Sequence, residues 1–88
     1  MSKDYMLTIT RVEKGCDNLT FTAHGGQLHH CQEHRDTQIN GMSVASAILG
    51  KRFHISQDVV VAGVETQSVF WSNNAPDEVA IIFTIKEA

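Results

Sequence analysis

The sequence predicts a small α+β domain that is mainly β: an antiparallel sheet of about five to six strands with a helical insertion near the middle. Three observations carry this. Runs rich in β-branched and aromatic residues recur towards both ends of the chain, as strands require. The stretches joining them are about two to six residues long, which suits antiparallel pairing because a parallel crossover needs a dozen or more. Between them, Gln27 to Asp36 holds no β-branched residue, and Met42, Ala45 and Leu49 recur at helical spacing.

In chain order, Y-M-L-T-I-T-R-V (Tyr5 to Val12) is the first strand. It has Met6, Thr8 and Thr10 on one face and Leu7, Ile9 and Arg11 on the other. Gly15, Asp17 and Asn18 bring turn chemistry, and L-T-F-T-A (Leu19 to Ala23) returns as the second strand of a hairpin. After His24-Gly25-Gly26, two helices are expected, Gln27 to Asp36 and Met42 to Leu49, with Thr37 to Gly41 as a loop between them. Gly50 suits the residue that ends the second helix. The β signal then resumes: Arg52 to Ile55, a turn at Ser56 to Asp58, Val59 to Val64, a turn at Glu65 to Gln67, Ser68 to Ser72, and a last strand Glu78 to Lys86. Phe70 and Trp71 fall on opposite faces of one strand. In the last strand Val79, Ile81, Phe83 and Ile85 share one face, and Ala80 and Ile82 the other.

The chain of 88 residues reads as one domain, 1–88. So short a chain leaves much apolar surface wet, and a strand apolar on both faces needs cover on both, so a homodimer or a partner protein is expected. Trp71, Ile82 and Phe83 are the candidate interface residues. No apolar run approaches the roughly 20 residues that span a bilayer. The start M-S-K-D-Y-M-L-T-I-T carries no signal core, so a cytoplasmic protein without a membrane role is expected. Cys16 and Cys31 are then expected as free thiols. The net charge of −3 weakens a nucleic-acid reading, because Lys and Arg supply most non-specific affinity for phosphate. Lys51-Arg52 is the densest basic point.

Asn73-Asn74-Ala75-Pro76-Asp77 is a rigid corner before the last strand, since proline gives the ladder no donor and holds Ala75 extended. The order G-K-R-F-H-I, D-V-V-V-A-G-V and S-V-F-W-S-N-N-A-P-D-E-V-A-I from Gly50 to Ile81, with Met6-Leu7 and Arg11 in the first strand, resembles the carbon storage regulator (CsrA/RsmA) family. The matching blocks cover a little under half the chain. The resemblance implies an intertwined, five-stranded homodimer. Its RNA face is built from the first strand of one subunit and the last of the other, and it grips GGA-bearing loops in messenger leaders to repress translation. Carried onto this chain, the RNA-binding positions are Thr8, Thr10, Arg11 and Phe83. The chain departs from the family in the long segment 24–49, in Val12 where a second basic residue is usual, and in Ile82-Phe83 where the family has His-Arg. A phenylalanine there can stack and cannot hydrogen-bond to base edges or phosphate. The alternative is a small protein-binding inhibitor or adaptor, of the type that phages and mobile elements encode, with no nucleic-acid role.

H24-G-G-Q-L-H29-H30-C31-Q-E-H34 is the remaining cluster. On a helix, His30 and His34 stand one turn apart, and with Cys31 and Cys16 they offer the nitrogen and sulfur ligands zinc accepts. The spacing matches no strong zinc pattern, so the preferred reading is a solvated histidine-rich face without metal or cofactor. A nucleophile built from Cys31 and His34 has no orienting third group, and no enzyme is expected.

Overall fold

The structure, a computed structural model, describes residues 3–72 and 79–88. The elements run β1 (Tyr5–Glu13), β2 (Leu19–Gly26), α1 (Leu28–Ile48), β3 (Arg52–Ile55), β4 (Val59–Val61), β5 (Val64–Ser72) and β6 (Val79–Glu87). The six strands form one antiparallel sheet in the order β2-β1-β6-β5-β3, with β4 also paired to β5. One face of the sheet carries the helix. The α+β reading and the strand count hold.

Alternation along the central strands decides which side is buried. Leu7 and Ile9 of β1 and Phe83 and Ile85 of β6 point to the helix side and meet in register, Leu7 opposite Ile85 and Ile9 opposite Phe83. With Val69, Cys31 and Ile39 they form the core. The opposite face stays open, and threonine dominates it: Thr22, Thr8, Thr84 and Thr66 form a row across four strands. A second row runs Thr20, Thr10, Ile82, Ser68, and the Thr10 and Thr20 hydroxyls are 3.0 Å apart. On this face Phe70 stacks on His54 with ring centroids 4.9 Å apart.

The helical segment corrects the expectation of two helices. Residues 28–48 form one helix, and residues 37–41 continue it. Its inward stripe is Leu28, Cys31, Arg35, Ile39, Met42 and Ser46. Ile39, in the stretch expected as a loop, is a buried core residue and carries the helix through it. The expected stop at Gly50 holds: φ is +69° there, Gly50 N donates to the Ala47 carbonyl (3.2 Å) and Lys51 N to that of Ser46 (2.9 Å), the paired bonds of a Schellman end.

The last third is also redrawn. The turn expected at Glu65 to Gln67 lies instead at Ala62-Gly63, where φ is +52° and +78°, and it joins β4 to β5 as a two-residue hairpin of the kind that needs positive φ. Glu65 to Gln67 belong to β5. The break between β3 and β4 is bridged by Ser56, whose backbone N donates to the Ser68 carbonyl while its hydroxyl accepts from Ser68 N, both at 2.8 Å. The proline corner, Asn73 to Asp77, lies outside the described residues; the strands on either side of it, β5 and β6, are hydrogen-bonded neighbours.

Beneath the helix lies a buried charge network. Arg35 Nη1 is 3.3 Å from Asp58 Oδ2 and 3.4 Å from Glu65 Oε1. Its Nε donates to Asp36 Oδ1 at 3.1 Å. Gln32 Nε2 donates to both Glu65 oxygens at 3.1 and 2.9 Å. Burial pulls the Arg35 pKa down, but the hydrogen bond to Asp36 and the charges of Asp36, Asp58 and Glu65 outweigh it, so the net shift is upward. Asp58 Oδ1 is buried without a hydrogen-bond partner among the described residues.

Two stability predictions follow from these features. Arg35→Ala strands the Glu65 and Asp58 carboxylates, and a loss of about 3–5 kcal/mol is expected in denaturant unfolding, whereas Arg35→Met with Glu65→Leu and Asp58→Asn, which removes both stranded charges, recovers much of it. Gly41 sits inside the helix, and an added Cβ meets nothing within 4 Å, so Gly41→Ala is expected to raise stability by about 0.5–1 kcal/mol in the same assay.

Candidate functional site

The end of the sheet where β1 finishes and β3 begins, called the upper end here, is left partly bare by the helix. A pocket of about 320 Å³ opens there, lined by Arg11 from β1, Lys51 from the α1–β3 connection, Trp71 from β5, and Val79 and Ile81 from β6. Register assembles it: Arg11 stands opposite Ile81, and Glu13 opposite Val79.

Trp71 is the anchored part. Its indole N–H donates to Ser46 Oγ at 2.7 Å, and that hydroxyl donates in turn to the Met42 carbonyl at 2.7 Å. Phe53 packs against the indole with ring centroids 5.3 Å apart and planes tilted by 53°. The ring is thus fixed by the last turn of the helix and by β3, and its remaining surface lines the pocket. Arg11 is held loosely. Its Nη2 lies 3.4 Å from Glu13 Oε2, and both side chains are about half exposed. An exposed pair of this kind contributes at most about 1 kcal/mol, so an incoming anion can replace Glu13. Lys51 makes no ion pair among the described residues. The pocket therefore offers two exchangeable cations beside an apolar wall carrying one fixed indole.

Comparison with protein-family models, with curated proteins and with solved structures finds no match.

The residues singled out from sequence fall in three places. Arg11 and Trp71 meet in the pocket. Thr8, Thr10 and Ile82 lie half-buried on the open face, away from Arg11. Phe83 has no exposed surface and packs in the core among Ile9, Val69 and Ile85. Its expected part in RNA contact and in an interface is therefore corrected: the odd positions of β6 face the helix, so its ring is committed to the interior. Lys51, Val79 and Ile81 were not singled out as site residues, because only the pairing of β1 with β6 and the Schellman end at Gly50 bring them beside Arg11.

The structure does not gather the histidine and cysteine side chains into one set. Cys31 is fully buried, whereas His30 and His34 are exposed. His34 stacks on His24 of β2 at 4.0 Å and His30 lies against His29 at 4.1 Å. Among the described residues, no group of three or more His, Cys, Asp or Glu is placed to hold a metal ion. Burial pushes the Cys31 thiol pKa up, partly offset by a hydrogen bond with the Leu7 backbone. Burial thus favours the protonated thiol at Cys31.

Cys16 is exposed and also free. Titration with an aromatic disulfide reagent is therefore expected to modify one thiol rapidly in the native protein and the second only after denaturant is added; two rapid thiols in native buffer would contradict the buried position of Cys31.

Proposed function

We propose that the protein is a small non-catalytic binding module that takes single-stranded RNA, with one nucleotide seated in the upper pocket. The observation that carries this is the placement of Arg11 and Lys51 around the Trp71 wall. A nucleotide joins the two chemistries found there, an anionic phosphate and a planar base. The cations neutralise phosphate, which dominates nucleic-acid affinity, and stacking on an aromatic side chain contributes about 1–3 kcal/mol per base. The volume of about 320 Å³ sits at the lower end of the roughly 300–1,000 Å³ typical of ligand sites, which suits one extruded nucleotide rather than a duplex. The basic residues add support: of the seven Lys and Arg, Arg11, Lys14, Lys51 and Arg52 all lie at this end of the sheet. Translational repression, the role implied by the CsrA/RsmA resemblance, would follow if the bound RNA is a messenger leader.

A second reading has its own observation. Val44, Ile48 and Leu49 on the outer side of the helix are large, apolar and exposed, a surface a partner protein could cover. In that reading the pocket takes an acidic side chain of the partner, and the chain is an inhibitor or adaptor.

Trp71 is the only tryptophan, so its fluorescence reports the pocket directly. Titration with a hairpin RNA bearing GGA in its loop, at low salt, is expected to quench it. Arg11→Ala and Lys51→Ala should each weaken binding by about tenfold, roughly 1.4 kcal/mol. The slope of log K against log salt should be near −1.4, as expected for about two neutralised phosphates on a single strand. Absence of quenching, or wild-type affinity retained in both variants, would defeat the RNA reading. Quenching by an acidic peptide but not by RNA would favour the protein-binding one.

A further inference from the structure

The strand β3 stands at an edge of the sheet, and its only strand partner is β5. Their pairing sets aromatic rings opposite one another twice in succession, Phe53 opposite Trp71 and His54 opposite Phe70. Successive residues of a strand point to opposite faces, so the two pairs stand back to back. Phe53 and Trp71 lie on the helix side, where Trp71 lines the upper pocket. His54 and Phe70 lie on the open face. The basic residues alternate in the same way. Lys51 lines the pocket, and Arg52, next in the chain and opposite Ser72, shares the open face with His54. Each side of this corner of the sheet thus joins a cation to an aromatic pair.

We infer that His54, Phe70 and Arg52 form a second stacking site for the same ligand, and that a linear single strand of RNA passes from the pocket to the open face round the corner at Lys51-Arg52. The inference rests on the nucleotide-binding reading of the pocket. It extends that reading from one nucleotide to a segment of about four, the low end of the site sizes of small single-strand-binding folds.

Three features select this occupant. The first is the accessible stack. The His54 and Phe70 rings are nearly parallel, with planes 15° and centroids 4.9 Å apart, and Phe70 is 42% exposed. Its neighbour on β6 is Ala80, whose methyl group leaves the ring open to a base that continues the stack. The second is charge. Arg52 is exposed and forms no salt bridge among the described residues. The third is continuity with the pocket. Lys51 and Arg52 are consecutive, with Cα atoms about 3.8 Å apart, so the phosphates of neighbouring nucleotides meet one cation and then the other as the strand turns. A duplex, stiff over about 150 bp, cannot make that turn. An acidic peptide would use the cations and leave the rings idle; a neutral sugar chain would do the reverse. A single strand alternates an anion with a planar ring, and both faces of the corner match that alternation. A hairpin loop, whose ends are tied together, fills the pocket without rounding the corner, so the salt dependence expected for it is unchanged.

The test uses linear adenylate mono-, di-, tetra- and hexanucleotides at low salt, read by the fluorescence of Trp71. Affinity is expected to rise about tenfold from the dinucleotide to the tetranucleotide, as one further stacked base requires, and to level off at the hexanucleotide. The slope of log K against log salt for the tetranucleotide should be near −2.1, as for about three neutralised phosphates. Phe70→Ala should abolish the gain with length and leave mononucleotide binding at the wild-type value, whereas Phe70→Tyr keeps the gain. Arg52→Ala should reduce the gain and return the slope to near −1.4. Its exposed position keeps the test decisive if Phe70→Ala does not fold. A mononucleotide bound as tightly as the tetranucleotide would overturn the inference and leave the pocket reading intact. So would a gain with length that survives Phe70→Ala or, where that variant does not fold, Arg52→Ala. Absence of quenching by every oligonucleotide would overturn both.

Discussion

One helix has to cover one face of a six-stranded sheet, and it cannot. An α-helix with its side chains is about 10–12 Å wide. Five strands abreast span roughly 19 Å between their outer axes, at about 4.8 Å per strand. The helix responds by crossing obliquely, starting beside β2 through His34 and His24 and ending over β5 through Ser46 and Trp71. The core collects where it passes, around Leu7, Ile9, Phe83 and Ile85. What it leaves uncovered is the upper pocket, the upper end of β2 with Leu19 and Phe21 and the threonine-rich face.

The oblique course is held by polar contacts at both ends. Arg35 reaches Glu65 and Asp58 near the start of β5, and Ser46 binds the indole of Trp71 near its end. Such contacts add little net stability, because desolvation cancels much of the gain. Their value is directional. An apolar stripe would let the helix rotate or slide over a sheet of similar residues, whereas a carboxylate buried under Arg35 tolerates one placement. Asp58 Oδ1, buried with no hydrogen-bond partner among the described residues, marks the local cost of that placement.

The same polar contacts explain what could be read from sequence. The strands were legible because their period of two is written in strong residues: Leu7 and Ile9 against Thr8 and Thr10, Phe83 and Ile85 against Ile82 and Thr84. The single helix was not, because two of its inward positions are Arg35 and Ser46, which read as surface residues until their partners are seen. Thr37, Asn40 and Gly41 added the chemistry of a break where the buried side chain of Ile39 carries the helix through. In the site, Arg11 and Trp71 stood out singly as a basic and an aromatic residue. Their meeting with Lys51 depends on strand order, which no local pattern encodes. Phe83 shows the converse: the family resemblance placed it by alignment at an RNA-facing position, while its parity in β6 commits it to the core.

The net charge of −3 weighs less against an anionic ligand than it did before the fold was known. A protein's field depends on where its charges lie, and screening limits each to about 10 Å at moderate salt. Arg35 is consumed inside the molecule by three carboxylates. Lys3 sits against Glu87 at the lower end. Arg11, Lys14, Lys51 and Arg52 lie at the upper end with Glu13 and Asp17 among them, while Asp58, Glu65 and Glu87 lie towards the other. The chain is acidic on average and locally basic beside its fixed indole. A ligand that approaches the pocket therefore meets attraction within a screening length, and the acidic remainder of the surface disfavours binding elsewhere. That division favours a short anionic segment with a planar group over a long polyanion laid across the whole sheet.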